Sequence, residues 1–304
     1  MPVIRTPDER FQNLPDFPYA PHYVEVNGMR IHYIDEGQGE VILCLHGEPS
    51  WSFLYRKMIP ILVRNYRVIA MDFVGFGRSD KYTEREEYSF QMHRDMLVGF
   101  VQALSFEQIT LVVQDWGGLI GLRVASEMPE RFARLVIMNT ALPTGDEPMS
   151  KGFMRWREFA ASTPDLPVGQ VITRGTAQGA SLPPEVIAAY ESPFPDVSYK
   201  AGAMVFPLLV PISPDDPGSA SMRYAREVLS QWQKPSLIMF SDKDPITRGG
   251  DKFFRALIPT AQDQPEITIT DAGHFLQEDK GEEIAQRIVD FIARTPLGSL
   301  PNMF

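Results

Sequence analysis

The sequence predicts an α/β fold in which a mostly parallel, doubly wound sheet carries a helical insertion after its sixth strand. Short apolar runs alternate with segments of helical periodicity from residue 41 to 138 and again from 236 to 294. In the stretch 111–122, an apolar run ends at Asp115 and Gly117-Gly118 open a helical segment. This alternation is typical of a parallel sheet that is covered by helices on both faces.

Length and composition agree with a large globular domain and limit its partners. The 304 residues are 44% hydrophobic and 22% charged, and the formal net charge is −10. An acidic chain argues against nucleic acid or an anionic membrane as a partner. The single cysteine, Cys44, lies in an apolar run and argues for a buried, inert thiol rather than a disulfide or a metal site.

The expected location and assembly follow from default assumptions. No apolar run approaches the ~18–20 residues that are needed to cross a bilayer, and no basic-then-apolar leader is seen. We therefore expect a cytoplasmic protein. A monomer is assumed in the absence of any signal for assembly.

The first half of the chain is predicted to contain most of the sheet. An irregular lead-in, residues 1–20, precedes a β-hairpin at Asn27-Gly28, a dipeptide that favours tight hairpin turns. The predicted strands span 23–26, 29–34, 41–45, 66–71, 109–113 and 135–138. The predicted helices span 53–63, 90–104 and a stretch that the two glycines at 117 and 118 open and that ends at about 128.

The middle of the chain interrupts this alternation. Residues 143–218 are rich in proline and aromatic residues and contain helical pieces without a convincing sheet strand. They predict a helical cap inserted into one main domain, which residues 1–142 and 219–304 form together. In the last part we expect helices over 224–232, 251–257 and 282–294 and strands over 236–240 and 267–270.

Asp115 occupies the point of the turn in the stretch 111–122. The N-terminus of the following helix faces this carboxylate, and the layout matches the nucleophile elbow of α/β-hydrolases, which displays an attacking side chain above the sheet. Here Asp stands in place of the usual Ser, and Val113 in place of the first glycine. A plain helix N-cap is the alternative role for this aspartate.

Three other predicted strands are followed by polar residues that are suited to catalysis. Reactive groups of a parallel sheet collect beyond the carboxyl ends of its strands. The chain order nucleophile, acid, histidine is that of hydrolase triads, so Asp115 is predicted to attack, His274 to act as base and Asp244 to orient the imidazole. Asp242 is the nearby rival of Asp244. The three loops are 46–49 (HGEP), 242–244 (DKD) and 271–274 (DAGH).

Six segments carry motifs that occur together in one family. They are 46–51 (HGEPSW), 72–80 (DFVGFGRSD), 113–118 (VQDWGG) and 271–275 (DAGHF), with 152–156 (GFMRW) and 193–199 (PFPDVSY) inside the predicted cap. With these motifs the chain resembles the haloalkane dehalogenases of the α/β-hydrolase superfamily, in particular the subfamily of the 1,2-dichloroethane-degrading enzyme. The resemblance extends over nearly the whole chain. Its specific features are Asp-Trp at the elbow, Glu48 and a tryptophan in the cap.

The resemblance implies hydrolysis of a carbon–halogen bond to an alcohol and a halide. The carboxylate of Asp115 would displace the halide, and water activated by His274 would hydrolyse the resulting alkyl ester. The implied partners are a small apolar halogenated substrate, water and the halide ion. No metal or organic cofactor is implied, because water completes the chemistry.

The resemblance also indicates which groups bind the halide ion and which stabilise the oxyanion that develops during ester hydrolysis. The indole N–H groups of Trp116 and Trp156 would bind the halide, since tryptophan offers a donor on an apolar body. The backbone N–H groups of Glu48 and Trp116 would form the oxyanion hole. The spacing after the strand favours Asp244 over Asp242 as the triad acid.

Several of these residues have a structural alternative. As an alternative to halide binding, Trp116 is interpreted as a core residue. Trp156 is likewise interpreted as a residue that packs the cap onto the main domain. The Glu48 side chain is open to interpretation as a plain loop carboxylate. Leu119 and Phe153 are expected on the wall of an apolar pocket. Core packing is the favoured interpretation for Trp51, Tyr190, Tyr199 and Phe206.

An epoxide hydrolase is the strongest alternative function, since that family shares the fold, the Asp nucleophile and often the Asp-Trp pair. It requires acids in the cap, usually two tyrosines, for which Tyr190 and Tyr199 are candidates. Glu48, where that family usually has an aromatic residue, and Trp156 argue against it. Fluoroacetate dehalogenases have Asp-Arg rather than Asp-Trp at the elbow. A non-catalytic binding protein of this fold usually lacks a triad residue and would show no continuous release of halide.

Overall fold

The computed structural model describes residues 3–298, and its centre is one twisted sheet. The strands of this sheet are β1 His22–Val26, β2 Met29–Gly37, β3 Val41–Leu45, β4 Arg67–Met71, β5 Ile109–Gln114, β6 Phe132–Met138, β7 Ser236–Ser241 and β8 Ile267–Ile269. Their order across the sheet is β8-β7-β6-β5-β3-β4-β2-β1. Strand β2 pairs antiparallel with β1 and β4, and the other neighbours are parallel. The predicted α/β fold is confirmed.

Helices cover the sheet and fill the connection between β6 and β7. The α-helices are α1 Ile59–Leu62, α2 Phe90–Ala103, α3 Trp116–Glu127, α4 Lys151–Ser162, α5 Val168–Gly175, α6 Pro184–Glu191, α7 Ala201–Leu209, α8 Ser219–Leu229, α9 Gly250–Leu257 and α10 Leu276–Arg294. Short 3₁₀ turns span Asp8–Phe11, Ser52–Tyr55, Arg85–Glu87, Pro129–Arg131, Gly179–Ser181, Val197–Tyr199 and Pro259–Asp263. None of the helices within residues 3–298 combines the length and the apolar character that crossing a bilayer requires.

The central strands are buried on both faces, as their continuous apolar sequences predict. Every residue of β5 and β6 is buried. Cys44, on β3, has no exposed surface, and burial raises the pKa of its thiol. The hairpin between β1 and β2 turns at Asn27 and Gly28, both of which have positive φ, as a tight hairpin turn requires.

Four predicted elements differ from the structure. The single helix predicted over 53–63 is wrong, because Pro60 is tolerated only in the first turn of a helix, and the segment forms a 3₁₀ turn followed by α1. Helix α10 begins six residues before the predicted start, with non-helical dihedral angles at Lys280. Helix α8 begins at Ser219 instead of residue 224. The lead-in is more regular than expected, since Val3–Ile4 pairs with Lys81–Tyr82.

The connection from β6 to β7 holds helices α4–α8 and no strand within its described residues, and α4–α7 are here called the inserted helices. These helices pack over the carboxyl ends of the parallel strands. Gly152 on α4 lies so close to Pro245 that a Cβ would be 2.2 Å from the Pro245 carbonyl oxygen, and Gly175 on α5 similarly contacts the ring of Phe275. The boundaries 143 and 218 of a separate cap domain remain a prediction.

Candidate active site

A strained turn between β5 and α3 presents Asp115 at the carboxyl end of the sheet. Asp115 has φ 51° and ψ −127°, which are unusual for a residue with a side chain. Its N–H donates to Asn139 O at 2.9 Å, and its carbonyl accepts from Thr140 Oγ1 at 2.6 Å. A Cβ on Gly117 would lie 2.1 Å from the Leu45 carbonyl oxygen. Neighbouring strands therefore fix the turn, and position 117 has room only for glycine.

The Asp115 side chain faces other loops instead of capping α3. It occupies the N-cap position but makes no capping hydrogen bond. Its Oδ1 accepts from the backbone N–H of Glu48 at 2.8 Å, and its Oδ2 lies 3.3 Å from His274 Nε2. The N-cap alternative for this side chain is wrong.

His274 connects Asp115 to a second carboxylate. Its Nδ1 lies 2.9 Å from Asp244 Oδ2, on the opposite side of the ring from Asp115. The backbone N–H of Ile246 and the hydroxyl of Thr247 also donate to Asp244 and hold it in place. Asp242 is exposed and accepts from the backbone N–H of Ala272. The structure thus brings Asp115, His274 and Asp244 together and leaves Asp242 outside.

The two carboxylates control the charge of the imidazole. Burial would lower the pKa of His274, but Asp244 and Asp115, through their charges and hydrogen bonds, raise it to about 10. Burial would raise the pKa of Asp244, but His274 and the hydrogen bonds from Thr247 and Ile246 hold it below its usual range. Because the pKa of His274 lies above 6.5, its protonation stabilises the fold fully below pH 6.5, and this contribution is lost as the pH rises through about 10.

We expect the substitution Asp115→Asn to lower the pKa of the His274 imidazole. The change removes a negative charge and leaves Asp244 as the carboxylate bonded to the ring, with Glu48 and Gln114 as the other polar neighbours. The ring signals of His274 in a ¹H–¹⁵N NMR titration report this pKa. The buried ring of His93 contacts Phe73, Tyr88 and Phe206 and serves as the control, since its signals should not change. An unchanged His274 titration would mean that the Asp115 charge does not act on the ring.

A cavity of about 450 Å³ lies above Asp115, between the sheet and the inserted helices. Its walls are mainly apolar, and Leu119 and Phe153 lie on them as expected. Such a cavity suits a small apolar molecule. Further apolar wall residues are Phe159, Val171, Val210 and Phe275.

Two tryptophans line this cavity with unused donors. Trp116 is 2% exposed and packs on Phe206, with 4.4 Å between the ring centroids, so it also has the packing role considered above. Trp156 comes from α4 and contacts Phe159. Within residues 3–298, neither indole N–H donates to a protein acceptor, whereas Trp51 Nε1 donates to the Ala189 carbonyl at 3.1 Å. The cavity therefore offers two N–H donors to a ligand.

Glu48 contributes more to this site than its backbone N–H. The residue is 4% exposed and lines the cavity, so its carboxyl is a buried part of the cavity wall and not a plain loop carboxylate. Its Oε1 is buried and has no hydrogen-bond partner within the described residues. Burial and the Asp115 charge raise the pKa of this carboxyl well above its usual range.

Two amides that the sequence analysis did not single out hold the His274 loop. Gln114 Nε2 lies 3.1 Å from His274 Nε2 and donates to the His274 carbonyl at 3.2 Å. Asn139 Nδ2 donates to the carbonyls of Gly273 and His274 at 3.0 and 3.1 Å. Gln114 ends β5 and Asn139 follows β6, so polar residues at the ends of apolar strands were the signal that could have identified them.

The candidate acids for epoxide opening do not reach the cavity. The Tyr190 hydroxyl donates to Glu278 at 2.6 Å, in a buried cluster with Arg56. Tyr199 lies outside the lining, and none of the described residues that line the cavity is a tyrosine. Trp51, Tyr190 and Phe206 belong to the core, and Tyr199 packs against it, as expected.

Comparison with known proteins finds close relatives over almost the full length. The profile of the α/β-hydrolase fold family matches residues 40–281. A haloalkane dehalogenase of Psychrobacter cryohalolentis is 50% identical, with 97% of this chain and all of that protein covered, and one of Mycobacterium marinum is 48% identical, with 96% and 100% covered. The tetrameric structure of haloalkane dehalogenase DpaA from Paraglaciecola agarilytica NO2 has a TM-score of 0.88 and 38% identity, with 94% of this chain and 97% of that chain covered.

Proposed function

The chain belongs to the haloalkane dehalogenase family of the α/β-hydrolase superfamily, and we propose that it releases halide through a covalent alkyl ester on Asp115. The observation that carries this proposal is the surroundings of the Asp115 carboxylate. One oxygen is held by the Glu48 N–H, and the other faces the imidazole of His274. Above them lies an apolar cavity with the free indole N–H groups of Trp116 and Trp156.

The first step is an in-line displacement at a saturated carbon. A carboxylate oxygen of Asp115 forms a C–O bond to the substrate carbon, and the C–X bond breaks with its electron pair on the halide. A carboxylate is suited to this step because it attacks without a base. Trp116 and Trp156 donate to the departing halide, whose charge would otherwise be unfavourable in an apolar cavity.

The second step hydrolyses the ester. His274 takes a proton from water, and the oxygen of the water attacks the ester carbonyl carbon. The backbone N–H groups of Glu48 and Trp116 hold the oxyanion that develops. The intermediate then collapses, and the alkoxide leaves with the proton from His274. Asp115 is left as the carboxylic acid and returns to the carboxylate by releasing the second hydrogen of the water as a proton. The overall balance is alkyl halide plus water giving alcohol, halide and one proton.

The raised pKa of His274 fits this order of events. In the free enzyme, the charge of Asp115 helps to keep the imidazole protonated. Alkylation converts Asp115 to a neutral ester and removes that contribution, so the pKa of His274 falls and its Nε2 becomes available as a base. Asp244 remains at Nδ1 to stabilise the cation when it forms again. The base would thus become active after the ester has formed.

The experiment that tests the proposal is halide release from 1,2-dibromoethane and 1-bromobutane, with styrene oxide assayed alongside. We expect steady bromide production and no diol. Diol without bromide would replace the proposal by an epoxide hydrolase. That alternative has no support, because no tyrosine is among the described residues that line the cavity, and the relatives from Psychrobacter cryohalolentis and Paraglaciecola agarilytica are haloalkane dehalogenases.

The Trp156→Phe substitution is expected to weaken halide binding about 10- to 100-fold, the effect of one lost hydrogen bond to a charged group. The ring is retained in a similar shape and only the N–H donor is lost. Fluorescence titration with bromide measures the affinity. Trp232→Phe is the control, since Trp232 Nε1 has no hydrogen-bond partner among the described residues and the side chain does not line the cavity. Equal bromide affinities of the two variants would remove Trp156 from the halide site.

The assembly of the chain requires its own measurement. A monomer was the default expectation, whereas the similar enzyme from Paraglaciecola agarilytica is described as tetrameric. Light scattering on the purified protein measures the mass in solution and decides between the two. The expected cytoplasmic location remains a prediction.

A further inference from the structure

We propose that the enzyme prefers ω-haloalkanoates, halogenated chains that end in a carboxylate, and that Arg155 and Arg174 bind this carboxylate at the opening of the cavity. The inference rests on the proposed function and names a substrate class for the same site. The halogenated carbon would lie against Asp115, and the products would be an ω-hydroxyalkanoate and halide.

The exposed residues among those that line the cavity mark its opening. They come from α4, from α5 and the turn after it, and from the loop that follows β7. Among the described lining residues they are Arg155, Arg174, Ala177, Lys243 and Pro245. Three of these five are basic and none is acidic, in a chain whose formal net charge is −10. The opening therefore differs in charge from the molecule as a whole.

The guanidinium groups of Arg155 and Arg174 are available to bind an anion. Within residues 3–298, neither group has an ion pair, a hydrogen bond or a contact with an aromatic ring. Arg157, on the same helix as Arg155, is occupied instead, because it donates to the carbonyl oxygen of Pro207 at 2.6 Å. A guanidinium presents its donors as a planar fork that matches the two oxygens of a carboxylate.

The carboxylates beside the opening are already bound by other groups. Asp271 Oδ1 lies 2.8 Å from Lys243 Nζ, so the charge of the third basic residue is balanced. The side chain of Asp279 accepts from three backbone N–H groups, one of them that of Ala177 at the opening. The two arginines therefore supply the positive charge that remains for a ligand.

The charges along the cavity determine which end of the substrate enters first. Asp115 lies at the inner end beside the carboxyl of Glu48, and its negative charge repels a second carboxylate. The walls are mainly apolar, so a carboxylate inside the cavity would lose its hydration without compensation. At the opening it keeps contact with water and with two guanidinium groups. The apolar halogenated end then fills the cavity and reaches the indole N–H groups of Trp116 and Trp156.

The test compares bromide release from 6-bromohexanoate and from 6-bromohexanamide, which has the same shape and no charge. We expect a higher kcat/KM for the acid through a lower KM, because the contact at the opening is the same in the ground state and the transition state. Each exposed arginine should contribute up to about 5-fold and the two together about 10-fold. This acid-to-amide ratio should decrease as the ionic strength rises. The same pairs built on bromobutanoate and bromooctanoate show which chain length reaches from Asp115 to the opening.

Arg155→Gln and Arg174→Gln, separately and together, keep a polar side chain and remove the charge. In the double variant we expect the acid-to-amide ratio to fall to about one, the value for a site without charge discrimination. Both substrates are measured on the same protein, so a general loss of activity cancels in the ratio. Arg248→Gln is the matched control, since Arg248 is also exposed and without a partner among the described residues but does not line the cavity. Its ratio should equal that of wild type.

Three results would overturn the proposal. The first is an equal kcat/KM for acid and amide in wild type at every chain length. The second is a ratio that persists in the double variant or falls as much in Arg248→Gln. The third is weaker bromide affinity of the double variant with an unchanged ratio, which would assign the arginines to the departing halide instead. Failure of the proposed function is distinct, because wild type would then release no bromide from the neutral 1-bromobutane either.

Discussion

Asp115→Ala is expected to lower steady halide release by about 10⁴-fold or more, the scale on which enzymes lose activity with their nucleophile. The carboxylate is the only group of the proposed scheme that bonds to the substrate carbon. Its removal leaves the cavity and the indole donors of Trp116 and Trp156 in place, so substrate and halide should still bind. The measurement is bromide release from 1,2-dibromoethane, together with bromide affinity by fluorescence.

Asp242→Ala is the matched control for this loss. Asp242 also follows a strand of the sheet, but its side chain is exposed and accepts a hydrogen bond from Ala272 N–H. We expect near wild-type turnover in this variant. Sustained bromide release by Asp115→Ala, at even a tenth of the wild-type rate, would place the nucleophile elsewhere in the cavity, where Glu48 is the other carboxylic side chain.

The residues expected to react could be predicted from the sequence because the sheet topology brings them close together. In a parallel sheet, residues that follow different strands meet at one edge, so sequence separation does not matter. Asp115 and His274 are 159 positions apart in the sequence, and Oδ2 of one lies 3.3 Å from Nε2 of the other. The same rule was available for Gln114 and Asn139, whose amides hold the His274 loop, but their residue types suggested no chemistry.

Features that depend on packing could not be predicted in this way. The sequence left the Glu48 side chain open to interpretation as a plain loop carboxylate, because the cavity that it lines is built from distant segments of the chain, such as those that carry Phe153 and His274. Tyr190 was a candidate acid in the sequence. In the structure its hydroxyl donates to Glu278 on α10, a contact between distant segments that the sequence does not reveal. The helix predicted over 53–63 followed apolar spacing and gave too little weight to Pro60.

The largest qualitative effect is expected from His274→Ala. The displacement of halide needs no base, so this variant should still alkylate Asp115 and release about one equivalent of bromide per enzyme. Hydrolysis needs the imidazole, so steady release should then fall by about 10⁴-fold. Rapid-quench bromide assays measure the stoichiometry, and intact mass shows a protein that is heavier by the alkyl group.

Asp244→Asn refines this expectation, because it keeps the imidazole and removes the carboxylate at Nδ1. Without that charge the imidazolium is less stable, so the base is weaker, and the ester should accumulate while slow hydrolysis continues. The rate of steady bromide release in Asp244→Asn should therefore lie between those of wild type and His274→Ala, with the full burst retained in all three.

Continued release at the wild-type rate in His274→Ala would show that another group activates water. A missing burst in that variant would instead show that His274 is needed before the ester forms, which contradicts the proposed order of the two steps.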